Sequence, residues 1–289
     1  MSTNTSIKVF VALAYALSIA LSLIVGLTGG HQSQFIGLQF LSMFIPVVAV
    51  LLVNSATNEK LEIDWNRLSL KYIPLALLLL PVVMHVAMLP VAAAYEGRLP
   101  WEGWLTPQSD GLYHTPAQRG WGALTFGGLV GRIVLNAVVG VIIVSVLAFF
   151  EEVGWRAWLL PRLADRMGLR RGVVVTSCVW AVWHVPFQLS GVQHIDGVSP
   201  VTLALTFPFG IFATGLVIGW LWLKTESIWI VSLAHGALNN WGQYAFKYMQ
   251  FAKAPDSVVG GAGLLAVLIL GTLLLSLGLA PVGRQADTA

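Results

Sequence analysis

Hydrophobic residues along this chain fall into long unbroken runs separated by short polar connections. Eight runs approach the length a bilayer demands, roughly twenty apolar residues at about 1.5 Å rise each. They lie at about 8–27, 35–53, 73–94, 129–160, 172–190, 200–223, 227–247 and 260–280. None alternates with the period of two that marks a barrel strand, so helices are the remaining way to satisfy the backbone in lipid. The pattern predicts an all-α fold, a polytopic transmembrane helical bundle of about eight spans. The first run follows Lys8, is longer than the apolar core of a secretion signal and ends at no clear small-x-small site. It predicts an uncleaved first helix.

Composition sharpens this reading. Of 289 residues, 57% are hydrophobic and 10% charged, with a mean hydropathy of +0.79. A soluble protein carries roughly a quarter charged residues, so a water-soluble globule is excluded, and the high hydrophobicity excludes disorder. The single Cys178 rules out an intramolecular disulfide. The net charge of +3 implies no nucleic-acid partner, because membrane proteins carry excess Lys and Arg for topological reasons.

With the N-terminus inside, eleven of the sixteen basic residues fall on one side: Lys8, Lys60, Arg67, Lys71, Arg156, Arg162, Arg166, Arg170, Arg171, Lys224 and Arg284. Arg98, Arg119, Arg132, Lys247 and Lys253 fall opposite. The positive-inside rule then predicts both termini in the cytoplasm, and the plasma (inner) membrane if the source is bacterial. Residues 95–128, rich in Gly and Pro and carrying Trp101, Trp104 and Trp121, suit an extracytoplasmic loop lying partly in the interface.

Ionisable groups inside a span cost several kcal/mol each, so each one is a functional candidate. Asp64, Asp110, Asp165, Asp196, Asp256, Asp287, Glu59, Glu62, Glu96, Glu102 and Glu226 lie in loops or at span ends. Glu151 and Glu152 are embedded, because the apolar stretch Ala157-Trp158-Leu159-Leu160 continues beyond them. Glu152 and Arg156 are i, i+4 and share a helix face, where an ion pair lowers the insertion penalty. Glu151 points about 100° away, without that partner, and suits a general base.

His184 and His235 complete the intramembrane set. Trp180 shares a face with His184, and Asn239 shares one with His235, whereas Asn240 does not. Counting inward from Pro161, Arg171 and Glu226 puts Glu151 about 15 Å, His184 about 20 Å and His235 about 14 Å deep. A carboxylate, two imidazoles and a carboxamide in one layer have the character of a water-activating hydrolytic site. His31, His114 and His194 are loop residues, and His85 stands alone on the third span, so these four read as structural.

The series Glu151-Glu152-x-x-x-Arg156, Trp180-x-x-x-His184, Phe212-x-x-Gly215-x-x-x-Gly219 and His235-x-x-x-Asn239 resembles the four motifs of the CPBP family, also called ABI. That family holds type II CAAX prenyl endopeptidases and bacteriocin-processing or immunity proteins. The resemblance covers about residues 130–245. It divides the chain into N-terminal spans and loop at 1–128, a CPBP-like catalytic core at 129–247, and a C-terminal span and tail at 248–289. Trp180 stands where the family usually has Phe, which keeps an aromatic wall.

By that resemblance the protein is an intramembrane endopeptidase acting on a peptide or membrane-protein substrate, lipidated in some members, at the lipid bilayer. Glu151 is the base that activates water, His184 helps hold the water, and His235 and Asn239 stabilise the oxyanion, while Glu152 and Arg156 organise the site. Gly215 and Gly219 form a small-xxx-small face for helix packing. His184 and His235 with a glutamate are also able to hold Zn²⁺ and leave a position open for water, though no HExxH helix singles zinc out. Metal-dependent and metal-free mechanisms both stay open. Two other readings compete: a proton-coupled transporter using Glu151 and His184 as a relay, and a catalytically inactive immunity or scaffold member of the same family.

Overall fold

A computed structural model of the protein describes residues 3–97, 99, 105–115, 122–194, 198–242, 251 and 253–277. Trp101, Trp104, Trp121, Arg98, Arg119, Glu102, Asp196, Lys247, Arg284 and Asp287 lie outside them. The chain is all-α in character: α1 (Thr3–Leu27), α2 (Ile36–Thr57), α3 (Leu70–Glu96), α4 (Phe126–Met167), α5 (Leu169–Leu189), α6 (Pro200–Thr225), α7 (Ile228–Ala237, continued by a π-helical turn at Leu238–Gly242) and α8 (Asp256–Ser276). Among the described residues seven helices are long and apolar enough to cross a membrane, all of these but α7. The expected eighth span, 227–247, is described only as far as Gly242. A two-residue antiparallel hairpin pairs Tyr113 with Leu124 and His114 with Ala123.

Helix α4 departs most from expectation. It runs 42 residues, about 63 Å at helical rise and twice the hydrocarbon thickness, where the apolar pattern predicted an end near 160. Two π-helical segments, Asn136–Gly140 and Val153–Leu159, interrupt it. The second explains how the helix passes Pro161. The α-helix restarts at Leu160, so proline occupies a first-turn position where its missing N–H is no loss. Gly168, with φ of 86°, then ends α4 and turns the chain into α5.

Packing divides the chain into two compact units, one of residues 1–69, 147–232 and 270–289 and one of 70–146 and 233–269. In the first, Phe10 of α1 meets Trp155 of α4 edge-on and Trp158 at a tilt, at centroid distances of 5.5 and 4.7 Å, and Trp155 meets Trp183 of α5 edge-on at 5.6 Å. Buried indoles need partners for their N–H groups. Trp158 donates to Asn54 Oδ1 at 2.9 Å and Trp183 to the Ala14 carbonyl at 3.2 Å. Tyr15 and Ser18 of α1 donate to the carbonyls of Val179 and Trp183 at 2.8 and 3.3 Å. Helix α1 thus fixes the height of α5.

Glycines set the closest approaches in this unit. A Cβ on Gly154 would lie 3.0 Å from the Pro46 backbone carbon of α2. One on Gly215 would lie 2.7 Å from the Ser177 side chain, and one on Gly219 would lie 2.7 Å from Val173 Cγ1. The expected small-xxx-small face of α6 is therefore the surface on which α5 lies. Arg162 pairs with Glu59 at 2.7 Å and lies over Trp158, and Arg67 pairs with Glu226.

In the second unit, Met88 and Val91 of α3 bury themselves with Ala254 and Val259. Glu96 is the last residue of α3, at a span end as expected. It is buried, and it accepts hydrogen bonds from the backbone N–H of Lys253 at 2.7 Å and Ala254 at 3.1 Å. Gly236 of α7 packs against α4, since a Cβ there would lie 2.6 Å from the Ser145 backbone. Asn240 donates to the Asn136 carbonyl at 3.0 Å, so the π turn of α7 is tied to the first π turn of α4. A π turn shifts the carbonyl register and leaves acceptors for side chains to meet.

Candidate active site

Glu151 and Glu152 are the last residues of an α-helical stretch, directly before the second π segment of α4. Such segments recur at functional sites because they re-aim side chains without ending the helix. Both acids are enclosed, at 4% and 0% exposure. The predicted Glu152–Arg156 pair is present, Arg156 Nη1 donating to Glu152 Oε1 at 2.9 Å, with the guanidinium only 1% exposed. Among the described residues Arg156 Nε and Nη2 have no hydrogen-bond partner. The guanidinium carbon instead sits 4.4 Å from the ring centre of Trp180, a cation–π contact strengthened by the dry surroundings.

Glu151 is not isolated, as its position on the helix suggested. Trp180 Nε1 donates to Glu151 Oε2 at 2.9 Å. Trp180, expected only as an aromatic wall, is thus a direct partner of the candidate base. Two carboxylates and one guanidinium leave the enclosed cluster with a net charge of −1 when all are ionised. The indole N–H supplies dipolar stabilisation to the Glu151 carboxylate.

His184 sits where α5 bends. Pro186 has no N–H for the Val182 carbonyl, so the helix ending at Trp183 restarts as the short turn Val185–Leu189. His184 Nδ1 lies 2.9 Å from the Trp180 carbonyl oxygen. A carbonyl only accepts, so Nδ1 carries the proton and Nε2 presents the lone pair in the neutral ring. Trp180 at 5.5 Å, Trp183 at 4.9 Å and Phe207 at 6.0 Å surround the half-buried ring and limit its rotation.

The first unit therefore brings together Glu151, Glu152, Arg156, Trp180 and His184. His235 and Asn239 belong to the second, where His235 is buried and Asn239 half-buried on α7. The π turn begins at Leu238, between the two, so the i, i+4 face that the sequence assigns them changes pitch partway. Of the histidines read as structural, His85 bonds the Pro81 carbonyl at 2.7 Å, His114 pairs with Asp110 at 2.7 Å, and His31 stacks on His194 at 4.1 Å. Outside the spans, the N–H of Leu112 and the imidazole of His114 hold the Asp110 carboxyl below the usual carboxylate range.

Among the described residues no three His, Cys, Asp or Glu side chains gather as a metal-holding group. No step is assigned to a metal.

Sequence reasoning missed Trp180 as a hydrogen-bond donor, and the Trp155, Trp158 and Asn54 brace behind the acids. The i, i+3 tryptophan pairs, 155/158 and 180/183, are visible in the sequence, but the acceptors that Trp158, Trp180 and Trp183 meet come from α2, α4 and α1.

Residues 131–241 match the family model for the type II CAAX prenyl endopeptidase, Rce1-like, group. The chain is also 23% identical over 230 residues to CAAX prenyl protease 2 of Methanococcus maripaludis, covering 74% of this chain and 73% of that protein. The matched segment contains all four motifs, from Glu151 to Asn239. Over this segment the chain is similar to the Rce1-like type II CAAX prenyl endopeptidases, and the enclosed Glu–Glu–Arg cluster and oriented histidine lie within it.

Proposed function

We propose that this protein is an intramembrane endopeptidase of the glutamate type, cleaving a peptide bond on the carboxyl side of a lipidated cysteine near the membrane surface. The observation that carries the reading is the enclosed Glu151 carboxylate, held by Trp180 Nε1 beside the Glu152–Arg156 pair. A carboxylate in a dry, preorganised site is a competent base for water, and a salt-bridged neighbour keeps the charge count near balance.

Glu151 takes one proton from water while His184 Nε2 accepts a hydrogen bond from the O–H that remains. The hydroxide adds to the scissile carbonyl carbon. The oxyanion takes hydrogen bonds from His235 and Asn239, roles assigned from motif order. The C–N bond then breaks, the proton on Glu151 passes to the leaving amine, and the products are a carboxylic acid and an amine. Glu152 and Arg156 hold α4 in register and touch no reacting atom. The substrate class follows from the relative's name and the family, and a farnesylated peptide ending in a CAAX sequence is the probe.

In liposomes containing the purified chain, that peptide should release its last three residues. His184→Ala should lower the rate at least about a hundredfold, the scale of a lost acid–base or positioning group. Dialysis against a zinc chelator should leave the rate unchanged. Loss restored by added Zn²⁺ would replace the glutamate mechanism with a metal one.

A further inference from the structure

We infer that Trp180 is a positioning residue that fixes both Glu151 and His184, through its indole N–H and its backbone carbonyl respectively. The inference rests on the proposed hydrolytic role of those two side chains. Three contacts converge on this residue. Its Nε1 donates to Glu151 Oε2 at 2.9 Å, its carbonyl accepts from His184 Nδ1 at 2.9 Å, and its ring covers the Arg156 guanidinium at 4.4 Å. Trp180 is itself 1% exposed, so no water competes for the N–H.

The geometry selects tryptophan over other aromatic residues. Phenylalanine fills an aromatic wall and meets a guanidinium, but it has no donor for the carboxylate. Here the hydrogen bond fixes Oε2 of Glu151. The bond runs from α5 to α4, so it also sets the separation of the base and the histidine, which sit on different helices. Ser18 and Ala14 of α1 hold α5 at Trp183, three residues on, which restrains Trp180 in turn.

The test removes the N–H while keeping the ring. Trp180→Phe and, as the closer isostere, Trp180→3-benzothienylalanine, placed by amber suppression, are compared with the wild-type chain in liposomes on the farnesylated CAAX peptide. Both should lower kcat about tenfold or more, the scale of a hydrogen bond to a charged group, while KM stays within about twofold. The benzothienyl variant should melt with the wild type, because its ring has the same shape.

A second readout needs no substrate. The infrared carboxyl band assigned to Glu151 by its loss in Glu151→Gln should change frequency in both Trp180 variants. Wild-type kcat in the benzothienyl variant, or an unmoved Glu151 band, overturns the positioning role. Failure of the wild-type chain to cleave the peptide counts instead against the proposed function, and the infrared comparison then decides the placement of Glu151 alone.

Discussion

Arg156 and Glu152 stand in a relation that a single substitution exposes. Both side chains are enclosed, so removing the guanidinium strands a charge away from water. Arg156→Met should destabilise the protein by about 3–5 kcal/mol, whereas the double change Glu152→Gln with Arg156→Met should recover most of that loss. Thermal melting in detergent reads both, and equal losses in the single and double variants would contradict the pairing. At this scale the sequence was informative wherever chemistry is costly in lipid. Glu151, Glu152 and Arg156 stand out from an apolar run because nothing but function or pairing explains them there. Trp180 does not stand out, since an indole in an apolar helix reads as packing. Only the position of α4 shows that its N–H faces a carboxylate.

The helices repeat that contrast at the next scale. Apolar length located every described span, but it placed the end of α4 several residues early, because Pro161 and the charged run after it look like a terminus. The π segment at Val153–Leu159 absorbs the proline and carries the helix to Met167, a local solution that no period reports. The Gly215 and Gly219 spacing, in contrast, was legible, since small residues one turn apart have few other uses in lipid. Gly215→Val should separate α6 from α5 and lower stability by about 1–3 kcal/mol, the usual range for overpacking, because its new atoms meet Ser177 backbone as well as side chain. An unchanged melting temperature would contradict the close approach.

The loop at Gln108–Leu112 offers a pH test. Asp110's carboxyl is depressed in the folded loop by the Leu112 N–H and by His114, so its stabilisation is full above the ordinary aspartate range and is lost as pH falls through the folded value. Amide exchange at Leu112 should therefore quicken on acidification beyond its intrinsic rate. Asp110→Asn should flatten that dependence, and identical profiles in the two proteins would remove the interaction.

For the whole molecule, the charge pattern predicts an orientation that labelling can check. In a Cys178→Ser background, Lys60→Cys should react from the cytoplasmic side and Asp110→Cys from the opposite side. Both reacting from one side would overturn the positive-inside assignment. The compact units cut across the order of the chain, each drawing on separated segments, and that division follows from long-range packing rather than from any break in the apolar pattern. The family resemblance is carried by residues 131–241, and the surrounding spans supply the brace, with Phe10, Ala14, Ser18 and Asn54 all lying outside the matched segment.

The central claim is that an enclosed glutamate activates the water that cuts the substrate, and the most direct measurement is proteolysis of a farnesylated CAAX peptide by Glu151→Gln beside the wild-type chain. The substitution keeps the side chain's shape and an oxygen able to accept from Trp180, yet removes the base. The account predicts release of the C-terminal tripeptide by the wild type and a loss of about a thousandfold or more in the variant, at matched melting temperature. Wild-type turnover by a folded Glu151→Gln protein would contradict it.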